Sequence, residues 1–231
     1  MPKLTPKMLA FLQAPQAEAV LLRLYTQALK QNRQMFFHFL PKIFKLLGKG
    51  LDWTGENESF YEDKYIPIAP QQGKFLYMQA LASGAKNIVE FGTSYGISTL
   101  YLAAAARVNG GRVITCEYLP HKAAAARKHF QEASLADYIE LREGDALETL
   151  KDLAIRPDFV LLDGWPDLVF PVFKLLEPNL ADRAVIAVDD VEGFSPAMQG
   201  YLDYVRRPEN GYISSTLKPY KALEYTVKLD R

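Results

Sequence analysis

One cysteine, Cys116, stands in a chain of 231 residues that has only two tryptophans and three histidines. A lone cysteine can make neither an intramolecular disulfide nor a cysteine-based zinc site, which suits a reducing compartment. The histidines His38, His121 and His129 form no metal-ligand pattern, and His38 sits in an apolar helical stretch where it reads as packed. No charge-free apolar run approaches the roughly 20 residues that span a bilayer. The N-terminus lacks the basic-then-apolar order of a signal peptide, because Pro15, Gln16 and Glu18 interrupt it early. Internal repeats are missing too. The expectation these absences leave is a soluble cytoplasmic protein.

Net charge is also missing, with 27 Lys and Arg against 27 Asp and Glu, but the balance is uneven along the chain. Residues 1–50 carry Lys3, Lys7, Arg23, Lys30, Arg33, Lys42, Lys45 and Lys49 against the single acid Glu18. The remainder therefore holds an equal surplus of acid. An acidic body argues against nucleic-acid binding, which normally needs a basic face on the main domain. With 49% hydrophobic and 12% aromatic residues, the chain has the means to bury a sizeable core.

Residues 16–31 place Val20, Leu21, Leu24 and Ala28 on one stripe at helical spacing. A second helical segment, 33–47, is aromatic and basic and is broken by Pro41. The acidic, turn-rich stretch 51–65 is the candidate boundary. The expected organisation is thus a basic helical extension (1–50), a linker (51–65) and one domain (66–231). Beyond residue 66, strand-length apolar runs alternate with helical patterns. Strands are expected at 87–91, 112–117, 139–143, 158–163, 184–189, 212–217 and 223–229, and helices at 96–107, 120–133, 146–153 and 168–177. Near-continuous apolar strands alternating with helices imply a doubly wound α/β fold, with a mostly parallel sheet covered on both faces. The last two strands are joined by too short a stretch for a crossover, so they should pair antiparallel.

In such a sheet, ligands bind beyond the carboxyl ends of the strands, where the strand order reverses. The first expected strand ends Glu90-Phe91-Gly92-Thr93-Ser94-Tyr95-Gly96-Ile97-Ser98. Gly92 and Gly96 allow a sharp turn and close backbone approach, and the following helix offers free N–H groups. The loop lacks the middle glycine of a dinucleotide fingerprint, which weakens a nicotinamide reading. The second strand ends at Glu117, an acid able to accept two ribose hydroxyls. Asp145 and Ala146 follow the third; Asp145 suits the exocyclic amine of adenine, and also an ordinary helix N-cap. Asp163 and Trp165 follow the fourth, with an indole that could cover an aromatic base. Asp189 and Asp190 end the fifth. A glycine turn, a ribose acid, an adenine acceptor and an aromatic cover, one per successive strand, describe a nucleoside pocket.

In these features residues 66–230 resemble class I S-adenosylmethionine-dependent methyltransferases, and most of all the O-methyltransferases related to catechol and caffeoyl-CoA O-methyltransferases. IAPQQGKFLYMQAL, VEFGTSYGISTLYLA, ITCEY, the GDA turn, LLDGW, AVDDV and ALEYTVKL match in order and spacing. The resemblance implies a seven-stranded Rossmann-like sheet and methyl transfer to a hydroxyl of a small acceptor. It implies that Glu90, Gly92, Thr93, Ser94, Gly96 and Ser98 line the cofactor, that Glu117 holds its ribose, and that Asp145, Ala146, Asp163 and Trp165 surround the rest. It also implies a divalent cation (Mg2+, Ca2+ or Mn2+) on Asp163, Asp189 and Asp190, with Asp163 catalytic.

Two positions depart from the family. Asp190 replaces its usual asparagine, and Pro166 stands where a lysine commonly follows the fourth-strand acid and serves as base. Proline takes no proton, so deprotonation falls to the cation, to an acid such as Asp167, or to another residue. A binding protein that keeps the fold without the chemistry is the rival reading, and a metal-independent methyltransferase is another. Tyr220 and Lys221 occupy the final turn, where they either contact an acceptor or face solvent. Residues 33–47 are expected to cap the acceptor pocket, build a homodimer interface or lie on an anionic membrane surface.

Overall fold

The computed structural model describes residues 9–39, 64–192, 195–220 and 222–230. Seven strands form one sheet: β1 (Asn87–Phe91), β2 (Arg112–Glu117), β3 (Ile139–Glu143), β4 (Phe159–Leu162), β5 (Val185–Val188), β6 (Tyr212–Leu217) and β7 (Leu223–Lys228). Their order is β3-β2-β1-β4-β5-β7-β6. The first five pair parallel, and β7 runs antiparallel between β5 and β6. The helices are α1 (Pro15–Phe39), α2 (Pro70–Ala82), α3 (Ile97–Asn109), α4 (Pro120–Glu132), α5 (Ala146–Thr149), α6 (Pro166–Leu176) and α7 (Ser195–Val205).

The central strands are buried almost throughout, as strands covered on both faces must be. Their side chains alternate between two cores, because successive residues of a strand point to opposite faces. Ile88, Leu161, Val185 and Ala187 face the core under α1–α4. Val89, Val160, Leu162, Ile186 and Val188 face the one under α5–α7. Buried all round, α3 packs Leu100 to Ala106 between the sheet and the helices outside it. Each large apolar side chain enclosed this way contributes about 1.5–3 kcal/mol.

The expected stripe Val20, Leu21, Leu24 and Ala28 is buried, and Leu9, Leu12 and Ala17 join the same core. The helix does not break after residue 31; α1 runs on to Phe39. Residues 40–63, which include the rest of the 33–47 segment and most of the 51–65 boundary, lie outside the described residues.

Two helices were not among those expected. α2 has Pro70 at its first turn, where the missing N–H costs nothing, and Gln72 accepts from Ala69 N–H at 3.1 Å to close its cap. α7 opens SPAMQG, a sequence of breakers, and Gly200 lets Phe170 of α6 approach it. The expected helix 146–153 shortens to one turn, α5. Among the described residues no helix is long and apolar enough to cross a membrane.

Candidate functional site

The chain leaves β1 for β2 and β3 on one side and returns through β4 on the other, so the order reverses between β1 and β4. Phe91 pairs with Leu162 at the carboxyl ends, which sets Gly92 against Asp163. The contact is backbone on backbone: Asp163 donates its N–H to Phe91 O at 2.9 Å, and a Cβ on Gly92 would lie 2.4 Å from Asp163 O. At φ +100 this position also favours glycine on conformational grounds.

The turn that follows is tied to β2. Thr93 donates its N–H to Cys116 O at 3.0 Å, and its hydroxyl lies 2.5 Å from that of Thr115. Ser94 N–H donates to Glu117 Oε2 at 2.7 Å, and Leu119 N–H to Oε1 at 2.9 Å. Both carboxylate oxygens are thereby fixed, and each keeps a further lone pair for a ligand hydroxyl. Gly96, left-handed at φ 86, caps α3, and Ser98 is buried in its first turn.

Behind the turn, Glu90 is fully buried. Thr99 and Thr115 donate their hydroxyls to Oε2, the latter at 2.6 Å, while Oε1 has no hydrogen-bond partner. Burial holds this carboxyl above the usual carboxylate range, against hydroxyl donors from Ser98, Thr115 and Thr99 that favour the ionised form. An orphaned buried carboxylate oxygen is costly unless something pairs with it, and the cationic end of a ligand would do so. The residues present therefore fit a ligand with a positive charge and a ribose.

The remaining expected residues ring this turn. Asp145 is the N-cap of α5, accepting Leu147 N–H on Oδ1 at 2.8 Å; Ala146 beside it is buried. The capping role alone satisfies that oxygen, and Oδ2 makes no hydrogen bond among the described residues. Trp165 is the N-cap residue of α6, partly exposed, and Pro166 is the first helical residue. Proline there has a local reason, since the first helical N–H has no partner anyway. Asp167 is exposed in the same first turn, where an acid complements the helix dipole.

The cation site expected on Asp163, Asp189 and Asp190 is not preformed among the described residues. Among the described residues no group of three His, Cys, Asp or Glu is placed to hold a metal ion. Asp163 and Asp189 do sit at neighbouring strand ends, following the paired Leu162 and Val188. Asp190, however, takes a left-handed backbone at φ 47 as the chain leaves the sheet. Carboxylate oxygens at these strand ends are of the donor type that suits a hard cation keeping several waters.

Sequence reasoning missed two contacts and one exposed aromatic side chain. The fully buried Gln72 of α2 donates its amide to Asp189 Oδ1 across 117 residues. Tyr118, next to Glu117, is 69% exposed at the rim. His129 Nδ1 lies 2.9 Å from Tyr95 O in the glycine turn. Only Tyr118 had a signal, as an aromatic beside the ribose acid. The partly exposed Tyr220 stacks its ring on Phe75 at 4.7 Å; Lys221 lies outside the described residues.

Residues 89–191 match a family described as "Methyltransferase domain". A catechol O-methyltransferase of Mycobacterium tuberculosis is 46% identical over 127 residues, 54% of this chain and 57% of that protein. Catechol O-methyltransferase B of Danio rerio is 34% identical over 69% of this chain and 61% of its own length. The chain thus spans less than two thirds of either curated relative. An O-methyltransferase from Bacillus cereus, solved in complex with SAH, superposes with a TM-score of 0.65 at 27% identity, covering 70% of this chain and 82% of that one.

Proposed function

We propose that this chain is an S-adenosylmethionine-dependent O-methyltransferase of the catechol and caffeoyl-CoA type and moves a methyl group from S-adenosylmethionine to a hydroxyl oxygen of a small phenolic or catechol-like acceptor, a reading supported by its similarity to a methyltransferase domain family and to catechol O-methyltransferases. The observation that carries this reading is the single turn at the β1 end, pressed on Asp163 and tied to Glu117. Residues 66–231 would form the methyl-transfer domain, with 1–50 as a helical cap and 51–65 as linker. α1 shares the core of the sheet, so the described part of this extension packs as one unit with the domain.

When bound, S-adenosylmethionine supplies an electrophilic methyl group on a cationic sulfur. The chain's contribution is placement. Glu117, locked by Ser94 and Leu119, accepts the ribose hydroxyls. Gly92 and Thr93 present backbone at close range, and the uncapped oxygen of Glu90 offsets the cofactor's positive end. Asp145 Oδ2 accepts from the adenine amine, and Trp165 and Tyr118 flank the base. Asp163, at the junction of the two loops, would accept the proton of an acceptor hydroxyl seated there, and the bound cofactor would supply the methyl group to that oxygen. Fixing both partners in one orientation is the main source of rate. A cation held by Asp163 and Asp189 would, when present, favour the ionised acceptor hydroxyl.

Titration calorimetry with S-adenosylhomocysteine tests the cofactor, and no binding at millimolar ligand overturns the reading. A panel of phenols with labelled cofactor tests the chemistry; binding without turnover across the panel would make this a binding protein. Treatment with EDTA should lower turnover and Mg2+ restore it, whereas unchanged activity removes the cation and leaves methyl transfer standing.

A further inference from the structure

The glycine turn holds an unusual backbone. Ser94 and Gly96 are both left-handed, at φ 48 and 86, and a residue with a Cβ avoids that region unless its surroundings impose it. Bonds to β2 impose part of it. Between these two residues stands Tyr95, which is gripped from the opposite side. His129 Nδ1 lies 2.9 Å from its carbonyl, and the ammonium of Lys122 lies 5.7 Å from its ring centroid. The ring of Tyr65 stacks on that of Tyr95 at 3.9 Å and 14°.

Tyr65 belongs to no helix or strand. Its backbone is placed by the side chain of Gln31 in α1, whose Oε1 accepts Tyr65 N–H at 3.0 Å and whose Nε2 donates to Tyr65 O at 3.3 Å. One side-chain amide takes both main-chain bonds, as a neighbouring strand would. Gln31 is in turn fixed by the buried stripe of α1 that ends at Ala28. A continuous path therefore runs from the N-terminal helix to the turn: α1, Gln31, Tyr65, Tyr95.

We propose that Gln31 and Tyr65 are positioning residues, an aromatic latch through which α1 holds the glycine turn in its binding shape and raises cofactor affinity. The latch rests on the reading of that turn as the cofactor site. Neither side chain needs to touch the ligand. If the turn spends only part of its time in the competent shape, apparent affinity falls by that fraction. Loss of one stacked ring corresponds to about a three- to tenfold effect. The phenol hydroxyl has no part in it, since stacking needs only the ring.

The test uses the full chain in four forms: wild type, Tyr65→Phe, Tyr65→Ala and Gln31→Leu. Binding of S-adenosylhomocysteine by wild type decides the functional reading separately. Amide hydrogen exchange at residues 93–98 without ligand then reads the turn itself. Tyr65→Ala and Gln31→Leu should speed that exchange and raise the dissociation constant by about three- to tenfold. Their maximal rate at saturating cofactor should be unchanged, and Tyr65→Phe should match wild type throughout. Unchanged exchange or unchanged affinity in Tyr65→Ala overturns the latch, as does an equal loss in Tyr65→Phe. Should Tyr65→Ala fail to fold, Gln31→Leu carries the same test.

Discussion

Adding one methyl group to Gly92 should both destabilise the fold and disable the site. A Cβ there would lie 2.4 Å from Asp163 O, 2.7 Å from Asp163 C and 2.8 Å from Gly164 N. All three are backbone atoms, so no side chain can rotate away. Nor can the strands part easily, because Phe91 and Leu162 pair in register and Asp163 N–H bonds Phe91 O. The substitution meets two costs: a left-handed backbone for a residue with a Cβ, about 1–2 kcal/mol, and overpacking, about 1–3 kcal/mol. Together they come to about 2–5 kcal/mol, and each kcal/mol lowers the melting temperature of a chain this size by roughly 2–4 °C. Gly110→Ala is the control. It caps α3 at φ +70, but nothing lies within 4 Å of its Cβ, so only the backbone cost applies. Calorimetric melting should therefore show a clearly larger fall for Gly92→Ala than for Gly110→Ala. Titration with S-adenosylhomocysteine should show binding lost only in the former. Equal melting temperatures for the two variants, or wild-type binding by Gly92→Ala, would refute the close-approach argument.

Glu117→Ala removes a charged acceptor from two backbone N–H groups and from the proposed ribose, so cofactor affinity should fall about ten- to a hundredfold by calorimetry; a change within about twofold would dismiss its role. Glu90 is held above the usual carboxylate range by burial, so the folded chain binds more protons than the unfolded one between the ordinary and the raised pKa. Stability from this group is therefore present at low pH and declines as pH rises through that window. Glu90→Gln does not titrate, so the melting temperature of wild type relative to the variant should drop as pH rises above the ordinary carboxylate range; a flat difference would show that Glu90 titrates normally. Burial pushes the Cys116 thiol up to about 12, so a disulfide reagent near neutral pH should label it only after denaturation, and rapid native labelling would contradict its placement.

The central strands β4 and β5 were legible because their residues are apolar without interruption, and strand ends were legible only to a residue. Asp158 lies one residue outside β4, its carboxylate accepting N–H groups from Lys86 and Asn87 at 2.9 and 3.0 Å. α2 was not legible as a helix by apolar periodicity, since part of its buried face is Gln72 and Gly73. Gly73 is there because the ring of Tyr101 fills the space a Cβ would need, a fact about α3 that no local window contains. Two helical segments, 16–31 and 33–47, were expected where α1 runs on unbroken through the polar Gln31 and Asn32. Polarity there has a tertiary cause, because Gln31 is the residue that binds Tyr65.

The site divides along the same line. Strand-end acids can be read from sequence because a parallel sheet collects its carboxyl ends at one edge, and the order of motifs then says which acid neighbours which. What each acid does depends on backbone hand and on donors far away in the chain. Asp189 and Asp190 are adjacent in sequence and look equivalent. Yet Asp189 continues from a strand and accepts an amide from Gln72, whereas Asp190 turns left-handed out of the sheet. The resemblance implied a triad of carboxylates, and the paired strand ends set Asp163 beside Asp189. Glu90 makes the converse case: its sequence position marked it as cofactor-lining, but the unpartnered oxygen and the three hydroxyls around it emerge only when β2 and α3 close over it.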